Sequence, residues 1–435
     1  MEGLLVIIIF FGLLFFNVPI AIALGVSSVI YTMFFSPIPL SMLIQSFVSG
    51  LDSFTLLGLP FFILAGNIMM NGGISDRLIK LSDAILGRLP GSLGIVTVFS
   101  SLIFGSISGS GPATVASIGG ITIPAMIKEK YDRGFACALA AVSGSFGPLI
   151  PPSIVMIVFG VSAQVSITTL FMAGILPGIV VAISLMIFAF IAARRKKFGA
   201  RFHPELMAQT DRSDVSVWKA FKNAIWAILC PVIILGGIYS GAFTPTEAAV
   251  VACIYALIIG LFVYREIKPS AILEIFRGTA AVNGTILVLV TCATAFGRVL
   301  AMAQVPAAIA EMITGVSDNP VVILLLINVL LLVLGLFMET LSALIVLTPI
   351  LLPIVVGLGI HPIHFGIIMT MNLAIGQSTP PAGVNTFVAA RVGECKVETM
   401  FRWLLPAVGV QVIVLLILTY VPIISLALPT LAGMI

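Results

Sequence analysis

The sequence predicts an all-α polytopic membrane protein built as two inverted repeats, each of about five transmembrane helices plus one re-entrant hairpin. Three observations carry this expectation. Of the 435 residues 60% are hydrophobic and only 9% charged, with a mean hydropathy of +1.24, whereas soluble domains carry roughly 25% charged residues. Charge is absent from residues 3–51, 89–127, 134–193, 278–297, 340–390 and 403–435, and about 20 apolar residues suffice for one helical span. Finally, Pro124 and Pro353, Pro151 and Pro380, Pro152 and Pro381, and Pro177 and Pro406 stand 229 residues apart, as do Gly147 and Gly376. A fixed spacing of this kind marks an internal repeat.

In chain order, an apolar run to Phe16 breaks at Asn17-Val-Pro19 and a second runs to Phe35. The N-terminus starts with Glu2 and has no basic region or small-residue cleavage site, so it is expected to stay as a membrane segment. Residues 56–70 form the next span. Residues 75–88, with Asp76, Arg77, Lys80, Asp83 and Arg88 on one face, read as a surface-lying amphipathic helix. Residues 91–127 are too long for one span and carry Ser106-Ile-Ser-Gly-Ser-Gly-Pro112 in their middle, which predicts a re-entrant hairpin. A span at about 134–165 is broken at Pro151-Pro152, since proline removes a backbone donor and clashes with the preceding turn. A last helix reaches Ala193.

The first repeat is thus 1–193, followed by a basic linker at 194–222 and the second repeat at 223–435. In the second repeat, spans at 224–239 and 248–264 flank Ser240-Gly-Ala-Phe-Thr-Pro245, and an amphipathic segment follows Arg265 and Lys268. The second hairpin covers about 320–357 with Met338-Glu-Thr-Leu-Ser342 at its tip, the second broken helix about 362–392, and a last helix 403–425. An odd number of crossings per repeat inverts the second. It also places nearly all Lys and Arg on the side of the linker, which makes that side cytoplasmic and the N-terminus external. The linker holds eight Lys/Arg against three acids and accounts for the net charge of +4, so the charge is no nucleic-acid signal.

The candidate site lies where the two breaks meet the two hairpin tips. Broken helix at depth is tolerable only beside protein or a wet cavity, and freed carbonyls with Ser/Thr hydroxyls offer the hard oxygens that sodium prefers. One cation site is expected from Ser106, Ser108, Gly109, Ser110, Gly111 and Thr114 facing Gly147, Pro148, Ile150 and Ser153. A second is expected from Thr340 and Ser342 facing Gly376, Ser378 and Thr379. Substrate candidates are Arg298, Glu339, Ser342 and Asn385, and the helix breaks are Pro151, Pro152, Pro380 and Pro381. Glu339 is either a proton or sodium ligand, or a carboxyl that is protonated or paired with backbone amides at the tip. Arg298 either attracts an anion or snorkels to the interface. Thr244-Pro-Thr-Glu247 reads as a capping box.

Enzyme chemistry finds no support in the sequence. Phosphate-binding loop, nucleophile elbow and metalloprotease signature are missing, and the Ser-rich breaks lack a partnered His or Asp. His203, His361 and His364 have no ligand partners. The cysteines at 137, 230, 253, 292 and 395 lack metal spacing and read as small buried hydrophobes. No cofactor is expected, with Na⁺ as coupling ion and no transition metal. Uncharged helix faces and the arm at 75–88 suggest a second membrane subunit. The channel reading stands as the different-class rival.

The serine/glycine tip with Pro124 downstream, Gly147-Pro-Leu-Ile-Pro-Pro152, Thr244-Pro-Thr-Glu-Ala248 and Gly376-Gln-Ser-Thr-Pro-Pro-Ala-Gly383 resemble the large membrane subunit of TRAP transporters over essentially the whole chain. The resemblance implies a bacterial inner-membrane, sodium-driven importer of an organic acid, with sialic acid favoured over a C4-dicarboxylate. It further implies elevator-type scaffold and transport domains, a small four-helix membrane subunit, and a periplasmic substrate-binding protein. A stand-alone dicarboxylate/sodium symporter is the related alternative.

Overall fold

Inside a bilayer an isolated apolar segment has only the helix to satisfy its own amides and carbonyls. In the computed structural model, which describes residues 4–36, 39–87, 89, 91–199, 216–306, 308–309, 319–380 and 383–435, every regular element is helical. Among the described residues seven helices are long and apolar enough to cross a membrane: Ile167–Lys196, Val217–Tyr239, Pro245–Val263, Pro269–Met302, Pro320–Phe337, Thr340–Gly357 and Val397–Tyr420. The pair Arg133–Leu149 and Ile154–Ala163, bent by 42°, makes an eighth when taken as one broken span. Residues 4–193 are the more fragmented, with the shorter apolar helices Leu5–Phe15, Ile20–Phe35, Leu40–Ser49, Gly58–Asn71 and Ser92–Ser108, against Pro362–Gly376 in the rest of the chain.

The expected break near Pro19 is present, with Asn17 at a φ of 62° between the first two helices. Helix Leu40–Ser49 was not anticipated. It follows Pro39, whose fixed φ suits the entry to a helix. The amphipathic segment forms Ile74–Leu86 and packs on Val217–Tyr239 and Ser92–Ser108. Its Arg77 donates to Glu266 Oε1 at 2.6 Å and to Gly73 O at 2.7 Å, with the guanidinium 3.7 Å above the Tyr264 ring. The separate amphipathic arm expected after Lys268 is instead the start of one 34-residue helix, Pro269–Met302. No proline follows Pro269 until Pro306, so nothing forces a break. The linker is shorter than expected, because helix Ile167–Lys196 runs into it and the next begins at Val217. Residues 200–215 of it, like Arg88, lie outside the described residues.

Helices pack in two groups. One joins Ile20–Phe35, Leu40–Ser49, Gly58–Asn71, Ile74–Leu86, Val217–Tyr239, Pro245–Ile258 and Pro269–Met302. Within it Gly58–Asn71 lies along Pro245–Ile258, with Thr246 Oγ1 donating to Phe54 O and Cys253 Sγ to Phe61 O. Thr244 and Glu247 form the capping box. The other group holds both hairpins, both broken helices and the long helices Ile167–Lys196 and Val397–Tyr420. Prolines 229 residues apart fall in matching elements: Pro124 and Pro353 inside the second arms of the hairpins, Pro177 and Pro406 inside the long helices.

The second group is tied together at one end. Asp132 Oδ1 caps its own helix through Phe135 N and accepts from Trp403 Nε1, both at 2.9 Å, while Arg133 donates to the carbonyls of Gly393 and Glu394. Trp403→Phe keeps the ring packing on Phe135 and Phe198 but loses a bond to a charged acceptor. Such a bond is worth about 1.5 kcal/mol or more. A lowered midpoint of thermal unfolding in detergent is the expected result, with Asp132→Asn, which keeps an acceptor and a cap, costing less.

Candidate functional site

Each hairpin turns over on two residues. In the first, Ser92–Ser108 ends at Gly109 in the left-handed region (φ 60°), Ser110 is extended, and helix resumes at Gly111. That φ explains a glycine at this point. In the second, Pro320–Phe337 ends at Met338, Glu339 is extended, and Thr340–Gly357 follows. Glu339 Oε2 accepts from Leu341 N at 3.0 Å and Ser342 N at 3.2 Å, so its carboxyl group caps the second arm. At the first tip the corresponding Ser110 makes no side-chain cap; Thr114 Oγ1 instead donates to Ser110 O and lies 2.8 Å from Ser108 Oγ.

At the first break, helix Arg133–Ser143 gives way to a turn at Phe146–Leu149 and then to Ile154–Ala163, capped by Ser153. At the second, Pro362–Gly376 gives way to Val384–Val392. Pro151, Pro152 and Pro380 lie in the breaks as expected, and Pro381 falls outside the described residues. The carbonyls near the breaks already accept protein donors. Ser378 Oγ donates to Ala141 O, Gln411 Nε2 to Val142 O, Ser153 Oγ to Pro148 O, Asn385 N to Gln377 O, Thr386 Oγ1 to Ser378 O and Thr379 Oγ1 to Ile375 O. Several of the carbonyls that a cation could have used are therefore already held by the protein's own donors.

Two side-chain amide oxygens beside the first tip have no partner among the described residues. Gln377 Oε1 and Asn385 Oδ1 are buried with no hydrogen-bond partner, and each lies 2.9 Å from where a Cβ on Gly111 would stand. The Asn385 orientation follows from its neighbours. Ser378 spends its one proton on Ala141 O, so it must accept from Asn385 Nδ2, which turns Oδ1 toward Gly111. Two amide oxygens from the second break thus converge on the tip of the first hairpin.

A cavity of about 580 Å³ joins these parts. The tips supply Ser108, Gly109, Ser110, Gly111, Glu339, Thr340 and Ser342; the breaks supply Pro148 and Gln377; the other helix group supplies Asn67, Met70, Thr285 and Leu289, among others. Ser106 turns back onto Ile103 O, and Thr114, Ile150, Ser153, Ser378, Thr379 and Asn385 do not line the cavity. Gly147 does face the first tip: a Cβ there would stand 2.7 Å from Gly111 N. Gly376 does not face Thr340 and Ser342 as expected. It packs backbone to backbone on Gly335, 3.1 Å from a Gly335 Cβ position to the Gly376 Cα, because two glycines let the hairpin arm approach the helix end. Arg298 lines no part of the cavity; it is exposed, with Nη1 3.4 Å from Ser46 Oγ. Sequence reasoning missed Gln377, Asn67, Thr285 and Gln411. Each is an uncharged polar residue interrupting an apolar run, and that interruption was the available signal.

A polytopic helical protein whose two hairpin tips and two helix breaks close on one cavity has the plan of many secondary transporters. The chain belongs to the tripartite ATP-independent periplasmic (TRAP) transporter family: the profile of the DctM component matches residues 7–424. It is 44% identical over 93% of its length to the isethionate TRAP transporter permease DctMQ of Oleidesulfovibrio alaskensis, of which it spans 63%. It is 39% identical to the C4-dicarboxylate TRAP transporter large permease DctM of Pseudomonas aeruginosa, covering 95% of both chains. To the sialic acid TRAP transporter large permease SiaM of Vibrio cholerae it is 37% identical, covering 97% of this chain and 96% of that one. Among solved structures, Neisseria gonorrhoeae MtrF aligns over 96% of this chain and 94% of its own with a TM-score of 0.63 at 13% identity, a likeness of fold. The protein is thus a large permease component of a bacterial transporter, a multi-pass protein of the inner membrane and not an enzyme.

Proposed function

We propose that this chain imports an organic anion by sodium symport, working with a small membrane subunit and a periplasmic binding protein. The observation that carries the sodium half is the pair of unpartnered buried oxygens, Gln377 Oε1 and Asn385 Oδ1, beside Gly111 at the first tip. A buried acceptor without a donor costs free energy, and a hard cation removes that cost. Gln377, Asn385 and the main chain of the first tip would hold the ion. The anion half rests on the cavity next to it, where the bound charge would attract a carboxylate or sulfonate. Relatives named for isethionate, C4-dicarboxylates and sialic acid stand at 44%, 39% and 37% identity. The sialic acid preference of the sequence reading is one candidate among these three.

The same reading takes the two halves as inverted repeats with the linker cytoplasmic, and the group of hairpins and broken helices as the body that moves against the other helices. The test is uptake into proteoliposomes carrying the chain, its small subunit and a candidate binding protein. Labelled N-acetylneuraminate, succinate and isethionate are offered with and without an inward sodium gradient. Saturable, gradient-dependent accumulation of one of them is expected. Flux that neither saturates nor responds to sodium would instead establish a channel.

A further inference from the structure

We infer that the protein holds the acyl chain of a membrane lipid in a second, wholly apolar cavity on the seam between the second hairpin and the other helix group. This cavity measures about 350 Å³ and shares no lining residue with the one at the hairpin tips. Three apolar helix faces form it. On Pro320–Phe337, Ile323, Leu326, Ile327, Leu330 and Leu334 recur at the three- and four-residue spacing of one helix face. Ile7, Phe10 and Phe11 keep the same spacing on the first helix, Leu5–Phe15, which packs on Ile20–Phe35. Phe10 in turn meets Phe296 of the long helix Pro269–Met302, with 5.3 Å between ring centroids. The third face is that of Thr340–Gly357, the second arm of the hairpin. One wall thus belongs to the hairpin whose tip closes the polar cavity, and the other to the first helix and the helices it packs on.

Exposure grades from floor to mouth. Phe10, Phe296, Ile327 and Leu351 are at most 2% exposed, whereas Phe11, Leu326 and Leu330 are 43–49% exposed. Those three are continuous with the lipid-facing surface of the protein, so the mouth opens onto the bilayer. Chemistry and size choose the occupant. Among the described residues of the lining, none has a hydrogen-bonding side chain, and an apolar cavity of this kind stays dry. One turn of a partner helix, about 10 Å across and about 5.4 Å long, is larger than the cavity. An acyl chain is narrow, apolar and already present at the mouth, and a cavity of about 150 Å³ is enough for a molecule the size of benzene. Left empty, the lining would forfeit the dispersion contacts that a filled interior makes. On the moving-body reading above, a lodged chain also lets the hairpin slide past the first helix over hydrocarbon, with no void opening between them.

The test uses the chain with its small subunit in vesicles of phosphatidylethanolamine that contain a small fraction of the same lipid bearing a diazirine on one acyl chain. After illumination, the labelled residues are mapped by peptide mass spectrometry. Lipid that merely surrounds the protein reaches the mouth and outward-facing residues such as Ile187 and Ile413, which are 53% and 59% exposed, but not the floor. Label on Phe10, Ile327 or Leu351, at a yield comparable to that on Leu326 and Leu330, is the expected result. Val346→Phe, which fills the cavity from its own wall, should abolish the floor label and leave the label on Ile187 and Ile413 unchanged. Should that variant fail to fold, Leu330→Trp at the exposed mouth closes the entrance, with the same loss expected. Label confined to the mouth and the outward faces overturns the inference and leaves the cavity to a protein side chain. Floor label that persists in a folded variant of either kind overturns it as well, because the reagent then reaches those residues by another route.

Discussion

Gly147→Ala is expected to raise the sodium concentration for half-maximal uptake by roughly ten- to hundredfold, the equivalent of the 1–3 kcal/mol that overpacking a close contact costs. A Cβ at position 147 would stand 2.7 Å from Gly111 N, and the atoms it meets are main chain, which cannot swing aside as a side-chain end can. The first tip must move away from the break. Gly111 is also the point on which Gln377 Oε1 and Asn385 Oδ1 converge, so the displacement opens the proposed cation site. Gly284→Ala is the matched control, because a Cβ there meets nothing within 4 Å. If a well-expressed Gly147→Ala protein kept the wild-type sodium dependence, the tip-to-break contact would have no part in ion binding.

Gln377→Leu should separate affinity from stability. Oε1 of Gln377 is buried, at 2% residue exposure, and has no partner. Replacing an unsatisfied buried polar group with an apolar one of similar size is neutral or stabilising. In sodium-free buffer the variant should therefore unfold at or above the wild-type midpoint. In sodium the order should reverse, since the wild type gains binding free energy that grows with sodium concentration over its dissociation constant. Loss of one of two unpaired oxygen ligands should weaken sodium by roughly tenfold or more, as for a lost hydrogen-bonding partner to a charged group. Asn385→Leu is a poorer test, because it also breaks the bond from Nδ2 to Ser378 and costs stability by itself. A Gln377→Leu protein whose sodium-induced rise in midpoint equals that of the wild type would exclude this amide from the ion site.

These two substitutions differ from the ones the sequence alone recommends. From the sequence, Pro381 and Gly147 at the breaks are the natural targets, on the reasoning that proline frees main-chain carbonyls for a cation. The structure keeps Gly147 but changes the reason, from free carbonyls to a close backbone approach. It also shows Ala141 O, Val142 O and Pro148 O in the hands of Ser378, Gln411 and Ser153. Two side-chain amide oxygens, Gln377 Oε1 and Asn385 Oδ1, stand without a partner beside the first tip.

What the sequence by itself determined is the part fixed by local chemistry. Long uncharged runs make membrane helices, Pro-Pro and Gly-rich segments break them, and the 229-residue spacing pairs the breaks, because hydropathy and backbone restriction act within a few residues of their cause. The hairpin turns at Gly109-Ser110 and Met338-Glu339 and the capping box at Thr244 follow from the same rules. Only the tertiary structure decided what each break faces. Gly376 meets Gly335 and not Thr340, Arg298 reaches Ser46 outside the cavity, and Asn67 and Thr285 come from distant helices to form its far wall. Whether an oxygen is free to bind an ion depends on the donors that packing brings across the gap. Those donors come from elements as remote as Gln411 from Val142, and no local pattern in the chain encodes their arrival.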